Sequence, residues 1–292
     1  MIHGSIVAIV TPFKNGKVDV KSLQDLIEFQ IENGTHGIVP CGTTGESPTL
    51  SHEEHEYVIE VTVKTVKKRI PVIAGTGSNS TDEAIRLTKF AEKVGADAVL
   101  LVVPYYNKPT QEGLYLHFKH IASEVKIPII LYNIPGRSGV NMNPETIARL
   151  AKDCKNIIGV KEASGSLQQA SNILYLCGMD FILLSGEDAL NFPLLAIGGK
   201  GFITVTANVA PGDVAELYNT YARGEFNQAR ELHYKLFPLN EAMFLETNPI
   251  PVKVALSIMG KIPNEFRLPL CPMSAGNLEK LTTALKEYGL AS

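Results

Sequence analysis

The sequence has few cysteines, no long hydrophobic run and no long basic run, and each absence excludes a class of protein. Its four cysteines are scattered and form no C-x-x-C pair. This pattern predicts a reducing compartment, with neither a disulfide framework nor a zinc or other metal site. No apolar stretch approaches the ~18 residues that a membrane-spanning helix needs. The first residues contain only a short apolar run, and they lack the basic region and the small-residue cleavage site of a signal peptide. We therefore expect a cytoplasmic protein with no membrane partner.

The charge of the chain is nearly balanced. Lysine and arginine number 27 against 30 aspartate and glutamate residues, for a formal net charge of −3. Without a basic patch, nucleic acid is not an expected partner. The 292 residues are 45% hydrophobic and 20% charged, which is an ordinary globular composition with ample length for a large core.

Strand-like and helix-like segments alternate along most of the chain. Short, continuous apolar runs such as "IPIILYNIP" and "NIIGVKEAS" are each followed by an amphipathic segment. Asn143 and Pro144 form a typical helix start. Three further helix starts carry a capping-box pattern, formed by the pairs Ser51 and Glu54, Ser80 and Glu83, and Ser166 and Gln169.

About eight such units predict an α/β fold, a (β/α)₈ TIM barrel with a C-terminal helical extension. Continuous apolar strands are typical of a parallel sheet that helices cover on both faces. The alternative with the same alternation is an open, doubly wound sheet. That alternative is disfavoured because no G-x-G-x-x-G follows the first strand. We place the barrel at residues 1–224 and the C-terminal helices at residues 225–292.

Reactive side chains stand where the predicted strands end, which is where barrel enzymes place their chemistry. The sixth strand delivers a lysine, Lys161, at its end, and lysine is rarely buried without a partner or a use. In an apolar barrel mouth we expect its pKa to fall, which makes its amine a nucleophile toward carbonyl groups. Other strand ends supply Thr43, Thr44, Tyr105, Tyr106, Tyr132, Arg137 and Ile203.

These residue types complement one another chemically. A tyrosine can shuttle protons while an imine forms. The amides of a Thr-Thr-Gly turn can hold one carboxylate, and an arginine can clamp a second one. From the residues alone we predict Schiff-base chemistry on a keto acid, and no metal ligand cluster competes for the same region.

The motifs "GTTGES", "PYYNKPTQEGLYLHF", "LYNIPGRSG", "GVKEASG" and "NPIPVK" resemble those of the dihydrodipicolinate synthase family of pyruvate-dependent class I aldolases. The resemblance covers essentially the whole chain. It implies condensation of pyruvate with L-aspartate 4-semialdehyde in the diaminopimelate and lysine pathway, by a 4-hydroxy-tetrahydrodipicolinate synthase. It implies no cofactor beyond the covalent imine with pyruvate.

The resemblance also implies roles for individual residues. Lys161 would form the Schiff base, and Tyr132 would donate and accept protons. Thr43 would link Tyr132 to Tyr106, which would reach in from a neighbouring subunit of a homotetramer, a dimer of dimers. The pyruvate portion would bind Thr44 and the main chain at Ile203. The carboxylate of the second substrate would bind Arg137.

Two other functions remain open at this point. N-acetylneuraminate lyase and other aldolases of sugar acids share several of these motifs, but they resemble the sequence less at "PGRSG" and at the paired tyrosines. A barrel that keeps the motifs and only binds a ligand as a regulator is the alternative outside enzymology.

Members of the family that lysine inhibits bind it at a subunit interface, and the resemblance implies a matching site here for free L-lysine. A carboxylate such as Glu83 suits the ammonium group of that ligand. Pro48 departs from the alanine expected at its position. The matching positions are Ser47, Pro48, His52, His55, Asn79, Glu83 and Tyr105.

Overall fold

The computed structural model describes residues 2–291, and its centre is an eight-stranded parallel sheet. The continuous apolar runs of the sequence form these strands, since each strand is covered on both faces. The strands are β1 (Gly4–Ala8), β2 (Gly37–Val39), β3 (Ile73–Gly75), β4 (Ala98–Val102), β5 (Ile129–Asn133), β6 (Ile157–Glu162), β7 (Ile182–Ser185) and β8 (Gly201–Thr204).

The sheet closes on itself. Strand β1 pairs with β8 on one side, in the register Ile6 to Ile203, and with β2 on the other. A bridge between Ile38 and Val72 joins β2 to β3. All the other strands pair with their neighbours in chain order, so the predicted (β/α)₈ barrel is confirmed.

A helix follows each barrel strand. These helices are α1 (Val20–Glu32), α2 (His52–Val66), α3 (Thr81–Val94), α4 (Gln111–Glu124), α5 (Pro144–Asp153), α6 (Leu167–Cys177), α7 (Asn191–Ala196) and α8 (Pro211–Ala222). Three helices occupy the C-terminal part of the chain, namely α9 (Phe226–Ala242), α10 (Ile250–Ile258) and α11 (Ala275–Tyr288). Among residues 2–291, no helix combines the length and the apolar character needed to cross a membrane.

The three predicted capping boxes differ in the structure. At α2 the box is complete, because Ser51 and Glu54 satisfy each other's backbone amides. At α3 and α6 the serine caps the helix as predicted. The reciprocal half of the capping box was wrong at both helices, because neither Glu83 nor Gln169 bonds back to the serine amide. The Glu83 carboxylate binds Ser78 instead, and the Gln169 amide binds Asn141 and Glu162.

The sequence analysis did not predict a short hairpin after β1, in which residues 13–14 pair with residues 17–18. Its turn residues, Asn15 and Gly16, have φ angles of 54° and 75°. Asn-Gly is the preferred pair for such a turn, so the signal was present in the sequence. Both turn amides donate to the Glu265 carboxylate, which attaches the hairpin to the C-terminal part of the chain.

A fully buried ion pair connects the C-terminal helices to the barrel mouth. Lys253 in α10 donates to Glu46, in the loop after β2, at 2.5 Å, and both side chains are 0% exposed. The Lys253 ammonium also lies 4.3 Å from the centre of the Phe13 ring. Burial lowers the pKa of Lys253, and the neighbouring Glu46 carboxylate opposes that effect.

We predict that Lys253→Met lowers the free energy of unfolding by about 3–5 kcal/mol, because Glu46 would stay buried without its partner. The double variant Glu46→Gln/Lys253→Met should recover much of that loss, since it buries no unpaired charge. Urea unfolding followed by circular dichroism measures both. If both variants lost the same free energy of unfolding, the unpaired charge of Glu46 would not be the cause of the loss.

Candidate active site

The carboxyl ends of the barrel strands surround a cavity of about 190 Å³. Six residues predicted from the sequence line it together, although they come from four different strand ends. They are Thr43, Thr44, Tyr132, Arg137, Lys161 and Ile203. Their functional roles stay predictions, but their convergence is a geometric fact.

Lys161 and Tyr132 are neighbours inside the barrel. They pair in register across β6 and β5, and the Lys161 ammonium lies 4.2 Å from the centre of the Tyr132 ring. Lys161 is only 6% exposed. A Cβ at Gly186 would lie 2.9 Å from Cε of Lys161, so the glycine leaves room for the lysine stem.

A polar network on the outer face of the same two strands fixes their ends. Since side chains alternate across a strand, Asn133 and Glu162 point away from the cavity. The buried Glu162 carboxylate accepts hydrogen bonds from the Ser164 amide at 2.7 Å, and from the Asn133 and Gln169 amide groups at 3.1 Å each. This network holds β5 and β6 together immediately beside Tyr132 and Lys161.

Asn248 is a cavity residue that the site prediction missed. Its side-chain NH₂ group donates to the Thr44 hydroxyl at 3.0 Å, and its backbone carbonyl oxygen accepts from the Arg137 guanidinium at 3.2 Å. The buried Oδ1 atom of Asn248 has no partner within the described residues. The only signal in the sequence was its position at the start of the "NPIPVK" motif.

Glu187 is a second missed residue, and it lines the same cavity after β7. Its carboxyl group is half-buried. Burial raises its pKa, and the adjacent Asp188 adds to that effect, while Lys161 and Arg137 oppose it. The sequence motif "SGED" placed two acids at this strand end without distinguishing them.

A larger cavity of about 410 Å³ adjoins the first. Thr43, Tyr132 and Arg137 line both cavities. All seven residues of the predicted lysine site line the larger one, namely Ser47, Pro48, His52, His55, Asn79, Glu83 and Tyr105.

Three side chains organise the wall of this larger cavity. The Asn79 side chain accepts from the backbone amides of Tyr105 and Tyr106 at 2.8 and 3.0 Å. His52 lies 3.2 Å from the Glu83 carboxylate. His55 bonds the Gly75 carbonyl at 2.7 Å, and burial lowers its pKa. Glu83 is the one acidic residue among the described residues that line the larger cavity.

Tyr106 does not reach the cavity of its own chain, because its side chain is 87% exposed. Thr43 and Tyr132 line the same cavities, but no hydrogen bond joins them among residues 2–291. The predicted relay through these residues therefore stays a prediction. In the same part of the chain, no group of three or more His, Cys, Asp and Glu residues is placed to hold a metal ion.

A (β/α)₈ barrel with a buried lysine and a tyrosine at neighbouring strand ends defines a lyase of the class I aldolase type. The model of the dihydrodipicolinate synthetase family matches residues 1–288, and the chain belongs to that family. It is 64% identical to a 4-hydroxy-tetrahydrodipicolinate synthase of Thermodesulfovibrio yellowstonii and 61% identical to one of Syntrophus aciditrophicus, each over 99% of both chains. The predicted activity is thus confirmed, and a sugar-acid aldolase is not favoured.

Three solved structures share the fold over 99% of this chain. A dihydrodipicolinate synthase of Acinetobacter baumannii in complex with pyruvate is 49% identical, with a TM-score of 0.97 over 100% of its length. An enzyme of Cyanidioschyzon merolae with lysine bound is 42% identical, with a TM-score of 0.96 over 98% of its length. A monomeric variant of the enzyme is 49% identical, with a TM-score of 0.96 over 97% of its length.

We predict that Glu162→Gln lowers kcat and lowers the free energy of unfolding by about 1–3 kcal/mol. The new amide would point a donor at groups that now donate to Glu162, leaving one of them unsatisfied. Steady-state kinetics and urea unfolding measure the two effects. Ser171→Ala, on an exposed position of α6, is the control. Wild-type values for Glu162→Gln would show that the network does not position Tyr132 and Lys161.

Proposed function

We propose that Lys161 forms a Schiff base with pyruvate, and that the resulting enamine adds to the aldehyde of L-aspartate 4-semialdehyde. The observation that carries this proposal is the convergence of six predicted residues on one small cavity around a buried lysine. The amino group of the second substrate then attacks the imine carbon, closes a ring and displaces Lys161, giving 4-hydroxy-tetrahydrodipicolinate for the diaminopimelate and lysine pathway. The imine is made with the substrate itself, so the cycle needs no cofactor.

Tyr132 is the proposed acid and base of imine formation. Loss of water from the carbinolamine requires a proton donor, and the Tyr132 ring lies beside the Lys161 ammonium at 4.2 Å. Thr43 lines the cavity with Tyr132 and would pass protons toward Tyr106. Because Tyr106 is exposed on its own chain, we infer that it acts in the cavity of a neighbouring subunit.

The substrate carboxylates need separate partners. Thr44 and the main chain at Ile203 lie in the inner wall of the cavity, where they would hold the pyruvate portion. Arg137 lies in the more exposed part of the wall, where its guanidinium would bind the carboxylate of the second substrate in bidentate fashion. Asn248 contacts both Thr44 and Arg137 and would keep these two subsites in register.

An intersubunit role for Tyr106 supports a homotetramer built as a dimer of dimers, and we propose that assembly in the cytoplasm. A monomeric variant exists among the solved relatives, so the family fold does not by itself require the tetramer. The proposal rests on the exposed Tyr106 ring. This ring could enter an active-site cavity only if that cavity belongs to a neighbouring subunit.

The Schiff base can be tested directly by reduction with borohydride in the presence of pyruvate. We predict one pyruvate-derived adduct per chain in the wild type and none in Lys161→Ala, measured by intact mass. Peptide mapping should place the adduct on Lys161. Lys155→Ala removes an exposed lysine just before the same strand and should retain the adduct.

Absence of an adduct from the wild type would contradict the proposed mechanism and favour a barrel that binds its ligand as a regulator. An adduct that persists in Lys161→Ala would instead move the nucleophile to another lysine. These two failures are distinguishable because the first concerns the chemistry and the second only the residue.

We further propose that free L-lysine binds in the larger cavity and inhibits the enzyme. Glu83 would accept from a ligand ammonium group, while Asn79 and Tyr105 lie at the part of the wall suited to its other end. The lysine-bound relative of Cyanidioschyzon merolae supports this proposal by its overall similarity. Pro48 also lines this cavity, at a position where the family resemblance leads us to expect alanine.

We predict that millimolar L-lysine lowers the initial rate and that Glu83→Gln weakens the inhibition by about tenfold or more, because it removes a charge-assisted hydrogen bond. Inhibition constants measured within each variant give the comparison. Asp82→Asn, at an exposed neighbouring position of α3, should keep the wild-type inhibition constant. An initial rate that does not change with lysine would refute the proposed site.

A further inference from the structure

The turn after β2 that carries Thr43 and Thr44 is closed by its own backbone. The Gly45 amide donates to the Gly42 carbonyl at 3.1 Å. The Glu46 amide donates to the Thr43 carbonyl, also at 3.1 Å. Among residues 2–291, no hydrogen bond engages the backbone amides of Thr43 and Thr44 themselves. Both residues line the 190 Å³ cavity, so the turn offers two free donors at its wall for the carboxylate of a keto acid.

Glu46, which ends this turn, has a backbone conformation that costs free energy. Its φ of 53° and ψ of 35° lie in the left-handed region, which residues with a large side chain seldom adopt. A residue held in that region persists only where its surroundings impose the conformation. The contacts between Glu46 and the rest of the chain therefore supply that constraint.

The Glu46 side chain is held by the C-terminal part of the chain. The Lys253 ammonium donates to one carboxylate oxygen at 2.5 Å, and the Arg267 amide donates to the other at 3.4 Å. Phe13 lies beside the pair, with its ring centre 4.3 Å from the Lys253 ammonium. Both charged side chains are 0% exposed, and opposite charges attract each other more strongly away from water. Lys253 thus fixes the position of the Glu46 carboxylate.

Two more side chains hold the turn itself. Asn248, just before α10, donates to the Thr44 hydroxyl at 3.0 Å. The Thr11 hydroxyl, in the loop after β1, donates to the Gly45 carbonyl at 2.7 Å. Three consecutive residues of the turn, ending at Glu46, are therefore each held by a different side chain from outside the turn.

The ion pair is the unusual member of this set. A buried pair of charges is often no more stabilising than a well-packed apolar pair, because both charges lose their hydration. A hydrogen bond between two charged groups is, however, short and directional, so it fixes the position of its partners. Fixing the strained end of the turn therefore accounts for Lys253 and Glu46 better than stability of the fold does.

We propose that Lys253 is a positioning residue: through Glu46, it holds the two free amides of the turn where they bind the carboxylate of the keto acid. This inference rests on the proposed function, since it assumes that pyruvate condenses with Lys161. Lys253 lies outside the lining of the 190 Å³ cavity, so its effect on the substrate is transmitted by the turn. Donors that are already in place need no reorganisation when the ligand binds.

The test compares two ketones that differ in the carboxylate, namely pyruvate, which has it, and acetone, which lacks it. In Lys253→Met we expect kcat/KM for pyruvate to fall by about tenfold or more, because its carboxylate loses well-placed donors. The rate at which acetone and cyanoborohydride modify Lys161, measured by peptide mapping, should stay within about twofold of the wild-type rate. The kcat/KM for the amino aldehyde, which reacts after pyruvate, should also stay within about twofold.

The double variant Glu46→Gln/Lys253→Met separates positioning from stability. It buries no unpaired charge, so it should recover much of the free energy of unfolding, but methionine cannot donate to the new amide. We therefore expect its kcat/KM for pyruvate to remain about tenfold or more below the wild-type value. Lys235→Met is the matched control, since it breaks a more exposed ion pair, with Asp213 of α8, and should have wild-type kinetics.

Three outcomes would overturn the role of Lys253 while leaving the Schiff base intact. The first is an unchanged kcat/KM for pyruvate in Lys253→Met. The second is recovery of that constant together with stability in the double variant, which would mean that the pair only supports the fold. The third is an equal slowing with pyruvate and with acetone, which would mean that the pair acts on Lys161 and not on the carboxylate site.

Failure of the proposed function has a different result. Treatment with pyruvate and borohydride would then leave no adduct even on the wild type, and the inference about Lys253 would fall with it. If the proposed function holds, saturating pyruvate should give the same adduct mass in Lys253→Met as in the wild type. Urea unfolding of each variant confirms that the kinetic comparison is made between folded proteins.

Discussion

The alternation of side chains along two neighbouring parallel strands is the constraint on which the site depends. Tyr132 pairs with Lys161, and the next residues, Asn133 and Glu162, pair with each other. The first pair faces the barrel interior and the second faces the helices. A shift of one residue in β6 would turn Lys161 toward the helices and Glu162 toward the barrel interior, so the hydrogen bonds of Glu162 help to keep Lys161 in place.

The acids of the barrel mouth show how the fold treats buried charge. Burying a carboxylate costs free energy unless hydrogen bonds or an opposite charge compensate it. Glu46 is compensated by Lys253, Glu162 by three donors, and Asp188 by the backbone beyond Ile203. The Glu187 carboxylate makes no hydrogen bond or ion pair with the described residues, and it is the acid that lines the cavity. The difference in treatment separates the structural acids from one available for a ligand.

How much could be predicted from the sequence depends on how local each signal is. The barrel was predictable because continuous apolar runs and N-cap serines act over a few residues. The capping-box prediction at α3 was wrong for Glu83, because its side chain has another partner, Ser78. Asn248 was missed because its contact with Thr44 spans 204 positions, and no local pattern reports such a contact. Glu187 differs from Asp188 only through tertiary contacts, so the sequence could not separate them.

The two cavities share Thr43, Tyr132 and Arg137 in their common wall. A ligand in the larger cavity would therefore contact the same side chains that are proposed to move protons and bind the second substrate. Coupling between the sites then needs no large rearrangement, since an altered rotamer or hydrogen bond at the shared wall changes both affinities. Because coupling between binding sites is reciprocal, a substrate that orders this wall must change the affinity for the ligand by the same factor. This geometry supports the proposed regulation, because side chains proposed for catalysis also line the second cavity.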